Sequence, residues 1–255
     1  MFEKIVVVLP TYNERENLAT AVSRIVASVP NADILVVDDN SPDGTGLLAD
    51  SLSDNDPRVH VLHRPAKQGL GAAYLAAFDW ALQRGYTVIV ECDADGSHRP
   101  EELPGLLVEL ADHDLAIGSR WVPGGRVIDW PASRSLLSRA GSFYARRMLH
   151  LKQRDVTGGY RAFRSGTLRR IGLESVTSQG YCFQIEMLWR VQRAGMRIAE
   201  VPITFADRRL GTSKMRWTIA AEALLRVTLW GLGIGVPART GTSRGFQTGT
   251  AARTR

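Results

Sequence analysis

Short apolar runs punctuate the first half of the chain, at residues 5–9, 34–37, 59–62, 88–90 and 115–117. They are rich in Val, Ile and Leu without strict alternation, which predicts strands covered on both faces. The stretches between them follow another period. Leu70, Ala73, Tyr74, Ala77, Phe78, Ala81 and Leu82 recur at three and four, and Gly85 closes that helix. Pro100-Glu101-Glu102 opens a further one, with proline near the first position and acids in the first turn. Strand and helix in alternation predict an α/β fold: a doubly wound, mostly parallel sheet with helices on both faces. The glycine fingerprint of dinucleotide sites is absent, because Gly69-Leu70-Gly71 has Tyr74 where a third glycine would stand.

Polar residues collect where the runs end. The run at 86–90 leads into Cys92-Asp93-Ala94-Asp95-Gly96-Ser97-His98. Side chains two apart on extended backbone share a side. Asp93 and Asp95 are therefore expected to converge at the carboxyl edge of the sheet, where open α/β sheets bind ligands. Two hard oxygen ligands suit Mg2+ or Mn2+ held together with nucleotide phosphates. A solvated acidic turn has the same short pattern. Pro10-Thr11-Tyr12-Asn13-Glu14 follows the first run, and Asp38-Asp39-Asn40-Ser41-Pro42-Asp43-Gly44-Thr45 the second. Thr11, Asn13, Ser41 and Asp43 are good helix caps and are read as such. Tyr12, Glu14 and Asp39 are less easily explained by capping and suit a nucleotide base and ribose.

Beyond residue 119 the character changes. Residues 120–147 hold Arg120, Arg126, Arg134, Arg139, Arg146 and Arg147 against the single acid Asp129. Spacing predicts a helix over 132–149 with Leu136, Ala140, Phe143, Tyr144 and Met148 as its apolar face. A second basic cluster, Arg208, Arg209, Lys214 and Arg216, surrounds Gly211. Arginine forks bind phosphate bidentately, so two phosphate-bearing ligands would explain the pattern; a solvated basic face explains it too. The net charge is +6, but residues 238–255 carry Arg239, Arg244, Arg253 and Arg255 with no acids, leaving the rest near neutral. That tail lacks apolar periodicity, which predicts disorder. The charge is thus no sign of a nucleic-acid partner, and no zinc spacing or RNA-binding signature appears. Cys92 and Cys182 lie far apart, the five histidines show no ligand spacing, and a packed thiol is expected at Cys92.

Residues 217–236 are apolar but include Glu222 and Arg226, placed to pair at i, i+4. Each charge would cost about 2.5–3.5 kcal/mol at the centre of a spanning helix. A helix at the bilayer surface, or docked on the domain, is expected instead. Met1-Phe2-Glu3-Lys4 runs into the first strand with no signal peptide, so the expected compartment is the cytoplasm.

Seven segments occur in order: Val-Val-Val-Leu-Pro-Thr-Tyr-Asn-Glu at 6–14, Val-Val-Asp-Asp-Asn-Ser-Pro-Asp-Gly-Thr at 36–45, Asp-Ala-Asp-Gly-Ser-His-Arg-Pro at 93–100, Gly-Ser-Arg at 118–120, Gly-Tyr-Arg-Ala-Phe at 159–163, Gly-Tyr-Cys-Phe-Gln-Ile-Glu-Met-Leu at 180–188, and the loop from Arg208 to Lys214. Together they resemble the polyprenol-phosphate (dolichol-phosphate) mannose synthases, inverting transferases of the GT-A fold, over residues 4–216. The resemblance implies GDP-mannose contacts from Pro10, Tyr12, Glu14, Val37, Asp39, Ala94, Arg208 and Lys214. It implies metal binding by Asp93 and Asp95, with Ser97 standing where several relatives have Gln. Arg120 and Arg134 match positions that hold the acceptor phosphate of a polyprenyl monophosphate, and with Asp95 they make up the expected catalytic set.

The chain would then comprise a transferase domain at 1–216, an interfacial helical segment at 217–237 and a basic tail at 238–255. Longer members append spanning helices. Without them, peripheral attachment to the cytosolic face of a membrane is expected, with room for a membrane-anchoring partner protein. The rivals are the same machinery with UDP-glucose or another sugar nucleotide, and a non-catalytic sugar-nucleotide or lipid-binding adaptor.

Overall fold

A computed structural model describes residues 4–207 and 217–235. All five apolar runs are strands. β1 (Ile5–Thr11), β2 (Ala32–Asp38), β3 (Val59–His63) and β4 (Val88–Glu91) alternate with α1 (Arg15–Ser28), α2 (Thr45–Asn55) and α3 (Leu70–Gln83). A 3-10 turn at Pro100–Glu102 leads into α4 (Leu103–Glu109). The chain continues through β5 (Leu115–Ser119), β6 (Arg126–Ile128), α5 (Ala132–Leu149), β7 (Arg161–Arg164), α6 (Ser165–Arg170), α7 (Gly180–Arg193), β8 (Ile198–Pro202), β9 (Thr204–Ala206) and α8 (Trp217–Gly231).

The main sheet has the order β3-β2-β1-β4-β7-β5-β8. β3, β2, β1 and β4 are mutually parallel, and β5 is parallel to β8. β7 lies between β4 and β5 and runs antiparallel to both. The sheet is thus mostly parallel, as expected, with one reversed strand. β6 and β9 form a small parallel pair beside it.

Both faces are covered, which is why the strands read as continuous apolar runs. Val6 and Val8 of β1 face a layer holding Tyr74 and Phe78 of α3, Phe183 and Met187 of α7, Ala145 of α5 and Val227 of α8. Val7 and Leu9 face Leu18, Val22 and Ile25 of α1 and Leu103 and Leu106 of α4. Each such side chain fully buried contributes about 1.5–3 kcal/mol. An aromatic row crosses the first layer, Phe183 on Tyr74 at 6.0 Å, Tyr74 on Phe78 at 6.0 Å and Phe78 against Phe163 at 5.8 Å.

The helix at 132–149 forms where expected, but its apolar face is different. Ser142, Ala145 and Leu149 are its buried positions. Tyr144 and Met148 pack partly, while Leu136 is 70% and Phe143 63% exposed and Ala140 also faces out. The reason is where the neighbour lies. Tyr144 meets Thr228 of α8 through their hydroxyls (2.6 Å), and a Cβ on Gly231 of α8 would collide with Met148. Both anchors fall in the second half of α5. α8 in turn buries Ala223, Val227 and Trp230, with Trp230 stacked on Trp189 of α7 at 5.4 Å. The expected pair forms, Arg226 Nε donating to Glu222 Oε1 at 2.9 Å.

Candidate active site

β1, β2 and β4 end side by side at the carboxyl edge, with Thr11 in register with Asp38 and Val8 with Glu91. The loops that follow are tied to one another. The Thr11 hydroxyl donates to Asp38 Oδ1 (3.0 Å), as does the Ser41 hydroxyl (2.6 Å), and the Asn13 amide donates to Ser41 Oγ (3.0 Å). Asn13 and Asn40 both sit at φ 57°, in the left-handed region that asparagine tolerates. Of the four residues expected to cap helices, Asp43 alone does so, and it serves two. Its Oδ1 accepts the Thr45 amide at the start of α2 (3.0 Å), and its Oδ2 accepts the Arg15 amide at the start of α1 (3.2 Å). Thr11, Asn13 and Ser41 close the two loops on each other instead, since their partners lie across the gap and not within their own helices.

The residues expected around the nucleotide gather here. Tyr12 is half-buried with Lys67 Nζ 3.9 Å from its ring centroid. Pro10 is half-buried, and Glu14, at the start of α1, accepts from Asn17 Nδ2 at 2.9 Å. Val37 is wholly buried, and its carbonyl accepts the Thr11 hydroxyl at 3.4 Å. Asp39 is buried and accepts from Arg64 Nη1 at 2.5 Å, while Arg64 Nη2 donates to Gln68 Oε1 at 2.9 Å. Burial pushes the Asp39 carboxyl above the ordinary carboxylate range in spite of Arg64. Arg64, Lys67 and Gln68 escaped the sequence reading; the available signal was a cluster of polar side chains between β3 and α3, ahead of Gly69.

The carboxylate pair needs a correction. β4 ends at Glu91, and residues 94–98 turn through Gly96 at φ 79°, so Asp93 and Asp95 are not two positions of one extended strand. The turn brings both to the end of β4 in its place. Asp95 is buried, its Oδ1 accepting the Ser97 amide (3.0 Å); Ala94 and Ser97 are buried beside it. The Asp93 amide donates to His98 Nδ1 at 3.0 Å, which fixes the ring proton on Nε2. His98 is buried and stacks on Tyr160 at 4.8 Å. Without ligand spacing, it holds the turn from behind through the Asp93 amide. A cleft of about 670 Å³ opens beside the turn, lined by Asp95, Gly96, Arg99, Glu16, Arg24 and Asp207 among others.

Arg120 and Arg134 meet at one tryptophan. The Arg120 guanidinium lies 5.4 Å and that of Arg134 4.0 Å from the Trp130 ring. Neither side chain is the solvated fork that charge counting suggests. Arg120, 5% exposed, donates from Nε and Nη2 to the two oxygens of Asp155, both at 2.7 Å. Arg134 Nη1 donates to Asp207 Oδ1 at 2.8 Å. These partners lie 35 and 73 residues away, beyond the reach of a local pattern. Arg208 and Lys214, with Arg209 and Arg216, fall outside the described residues.

Residues 6–172 match the model of glycosyl transferase family 2. The chain is 54% identical to the undecaprenyl-phosphate mannosyltransferase of Micrococcus luteus, over 93% of this chain and 99% of that one. It is 55% identical to the polyprenol monophosphomannose synthase of Mycolicibacterium smegmatis, over 90% of this chain and 88% of that one. Among solved structures, glucosyl-3-phosphoglycerate synthase from Mycobacterium tuberculosis, in complex with Mn2+, UDP and glucosyl-3-phosphoglycerate, superposes with a TM-score of 0.66 at 20% identity. It covers 91% of this chain and 81% of its own. That last likeness concerns the fold.

Proposed function

We infer what this chain does from the family to which it belongs, glycosyl transferase family 2: it is a glycosyltransferase on the GT-A fold. Its reaction is mannosyl transfer to a polyprenyl monophosphate, and GDP-mannose is the donor we propose, with inversion at the sugar carbon and release of GDP. The observation that carries this reading is the identity above one half, along nearly the whole chain, to two proteins named for that transfer.

The side chains suit the chemistry. Asp93 and Asp95 are the proposed holders of a divalent cation, Mg2+ or Mn2+, with the Ser97 hydroxyl as a third contact. Among the described residues no group of three or more His, Cys, Asp or Glu side chains gathers as a closed cage. Two carboxylates on one turn fit a cation that keeps its other positions for diphosphate oxygens and water. Held by Asp93 and Asp95, such a cation would supply neutralisation of the charge on a departing diphosphate. Tyr12, Glu14 and Asp39, with Pro10, Val37 and Ala94, are the proposed contacts to the guanosine, and Arg208 and Lys214, outside the described residues, those to the diphosphate. A phosphomonoester has its second pKa near 6 and is largely dianionic at neutral pH. Arg120 and Arg134 therefore need to orient the acceptor, and no base has to take a proton from it.

The lipid acceptor cannot leave the bilayer cheaply, at about 0.8 kcal/mol per buried CH₂. Among the described residues no helix is long and apolar enough to cross a membrane. α5 and α8 instead expose Leu136, Leu137 and Phe143, and Leu224 and Leu225, with Leu232 exposed just past α8. We place this face on the cytosolic surface of the membrane, so that 217–237 both docks on the 1–216 domain and meets lipid, with the basic tail at 238–255 drawn to anionic headgroups. The deciding assay supplies membranes, Mg2+ or Mn2+ and a panel of labelled sugar nucleotides. Label should enter lipid from GDP-mannose; entry from UDP-glucose instead would overturn the donor, and nucleotide binding without any lipid product would overturn the enzyme.

A further inference from the structure

We propose that Asp155 is the positioning residue that sets Arg120 for the acceptor phosphate. This rests on the reading of Arg120 given above. Asp155 is wholly buried in the loop between α5 and β7. Four donors converge on its carboxylate: the Arg120 amide (3.0 Å) and Nε (2.7 Å) on Oδ2, and Arg120 Nη2 (2.7 Å) and the Gly158 amide (3.1 Å) on Oδ1. Arg120 Nη2 also donates to Thr157 Oγ1 at 3.0 Å. One short loop thus grips the Nε side of the guanidinium in a single plane, while the rings of Trp121, Trp130 and Phe205 stand 5.3–5.4 Å from its carbon.

The loop is itself held in place. Glu200 of β8 accepts the amides of Arg154 (2.8 Å) and Asp155 (3.0 Å). A Cβ on Gly158 would stand 3.1 Å from the Gly118 carbonyl and 3.5 Å from the Asp155 carboxyl carbon, so a larger residue would push the loop off β5. An arginine whose plane is set before the ligand arrives loses less freedom on binding it. Asp155 also offsets the charge of Arg120, so this pair supplies direction to the phosphate more than long-range attraction.

The test compares wild type, Arg120→Ala, Asp155→Asn and the double variant, reading KM for polyprenyl phosphate, kcat, and GDP affinity by calorimetry. Asp155→Asn should raise the acceptor KM about tenfold or more, with GDP affinity unchanged, as expected when a reacting group is misplaced by a fraction of an ångström. The double variant should be no worse than Arg120→Ala, because Asp155 acts through Arg120. An equal loss from Asp155→Asn in both backgrounds, or a matching loss of GDP affinity, would make Asp155 merely structural and overturn the proposal. Should Arg120→Ala itself leave the acceptor KM unchanged, the assignment of Arg120 fails and takes this inference with it. Where Asp155→Asn does not fold, Thr157→Val carries the test: a smaller rise in the same KM that vanishes in the Arg120→Ala background supports the proposal, and no rise overturns it.

Discussion

Asp95 Oδ1 accepts the Ser97 amide within the turn after β4. A bond of that kind is worth about 1 kcal/mol, whereas the metal role proposed for Asp95 is required for transfer. Asp95→Ala should therefore melt close to wild type and transfer no sugar, with metal-dependent GDP binding lost in calorimetry; near-normal turnover would remove Asp95 from the metal site. Arg134 is the residue proposed for the other substrate, and Arg134→Ala should raise the KM for polyprenyl phosphate while GDP affinity stays put. A drop in GDP affinity of equal size would move Arg134 to the nucleotide. Asp155 gives a pH signature. Burial pushes its carboxyl up, but the Arg120 guanidinium more than reverses this and holds it below the ordinary carboxylate range. A depressed folded-state pKa contributes stability that is complete above the unfolded value, about 3.9, and that is lost as the pH falls through the folded one. Below about pH 4 the melting temperature of wild type should fall more steeply than that of Asp155→Asn, and parallel curves would contradict the pairing.

Among the elements, the ones visible in the sequence are those whose side chains all face apolar neighbours. β1, β2 and β4 could be read from Val and Ile alone because both of their faces are covered. β7 could not. Arg161-Ala162-Phe163-Arg164 carries two cations in four residues, and Arg161 is fully buried, its N–H groups donating to the backbone carbonyls of Val156, Gly158 and Gln184 and its charge favoured by Glu91 and Asp155. The helix at 132–149 was legible in its limits and not in its face, since a period says which residues share a side and not whether a neighbour covers it. The candidate site divides along the same line. Asp93, Asp95 and Asp39 announced themselves at strand ends, while Asp155, Arg64 and His98 act through partners that the fold brings in. α8 is docked by its aromatic stack, so Trp230→Ala should cost about 3 kcal/mol or more in denaturant unfolding; a loss under 1 kcal/mol would mean that α8 adds little to the core.

For the molecule as a whole, α5 and α8 pack on each other, and Leu136, Leu137 and Phe143 on the one and Leu224 and Leu225 on the other stay exposed. Removing everything after Met215 would also strip Ala223, Val227 and Trp230 from the core, confusing attachment with stability. Surface exchanges avoid that. Leu136→Ser with Leu137→Ser and Phe143→Ser should lower flotation with anionic vesicles and leave the melting temperature nearly unchanged, and flotation equal to wild type would exclude α5 from the membrane face. The reversed strand has a consequence of another kind, for the chain while it is being made. β1 to β4 pair among themselves as soon as they have emerged, but among the described residues β5 pairs only with β7 and β8. At ribosomal speed the gap between making β5 and making β7 is roughly two to nine seconds. During that interval the strand leading to Arg120 has both edges bare and can be captured by another nascent chain, so the half of the protein proposed to meet the lipid is also the half most exposed to misassembly at birth.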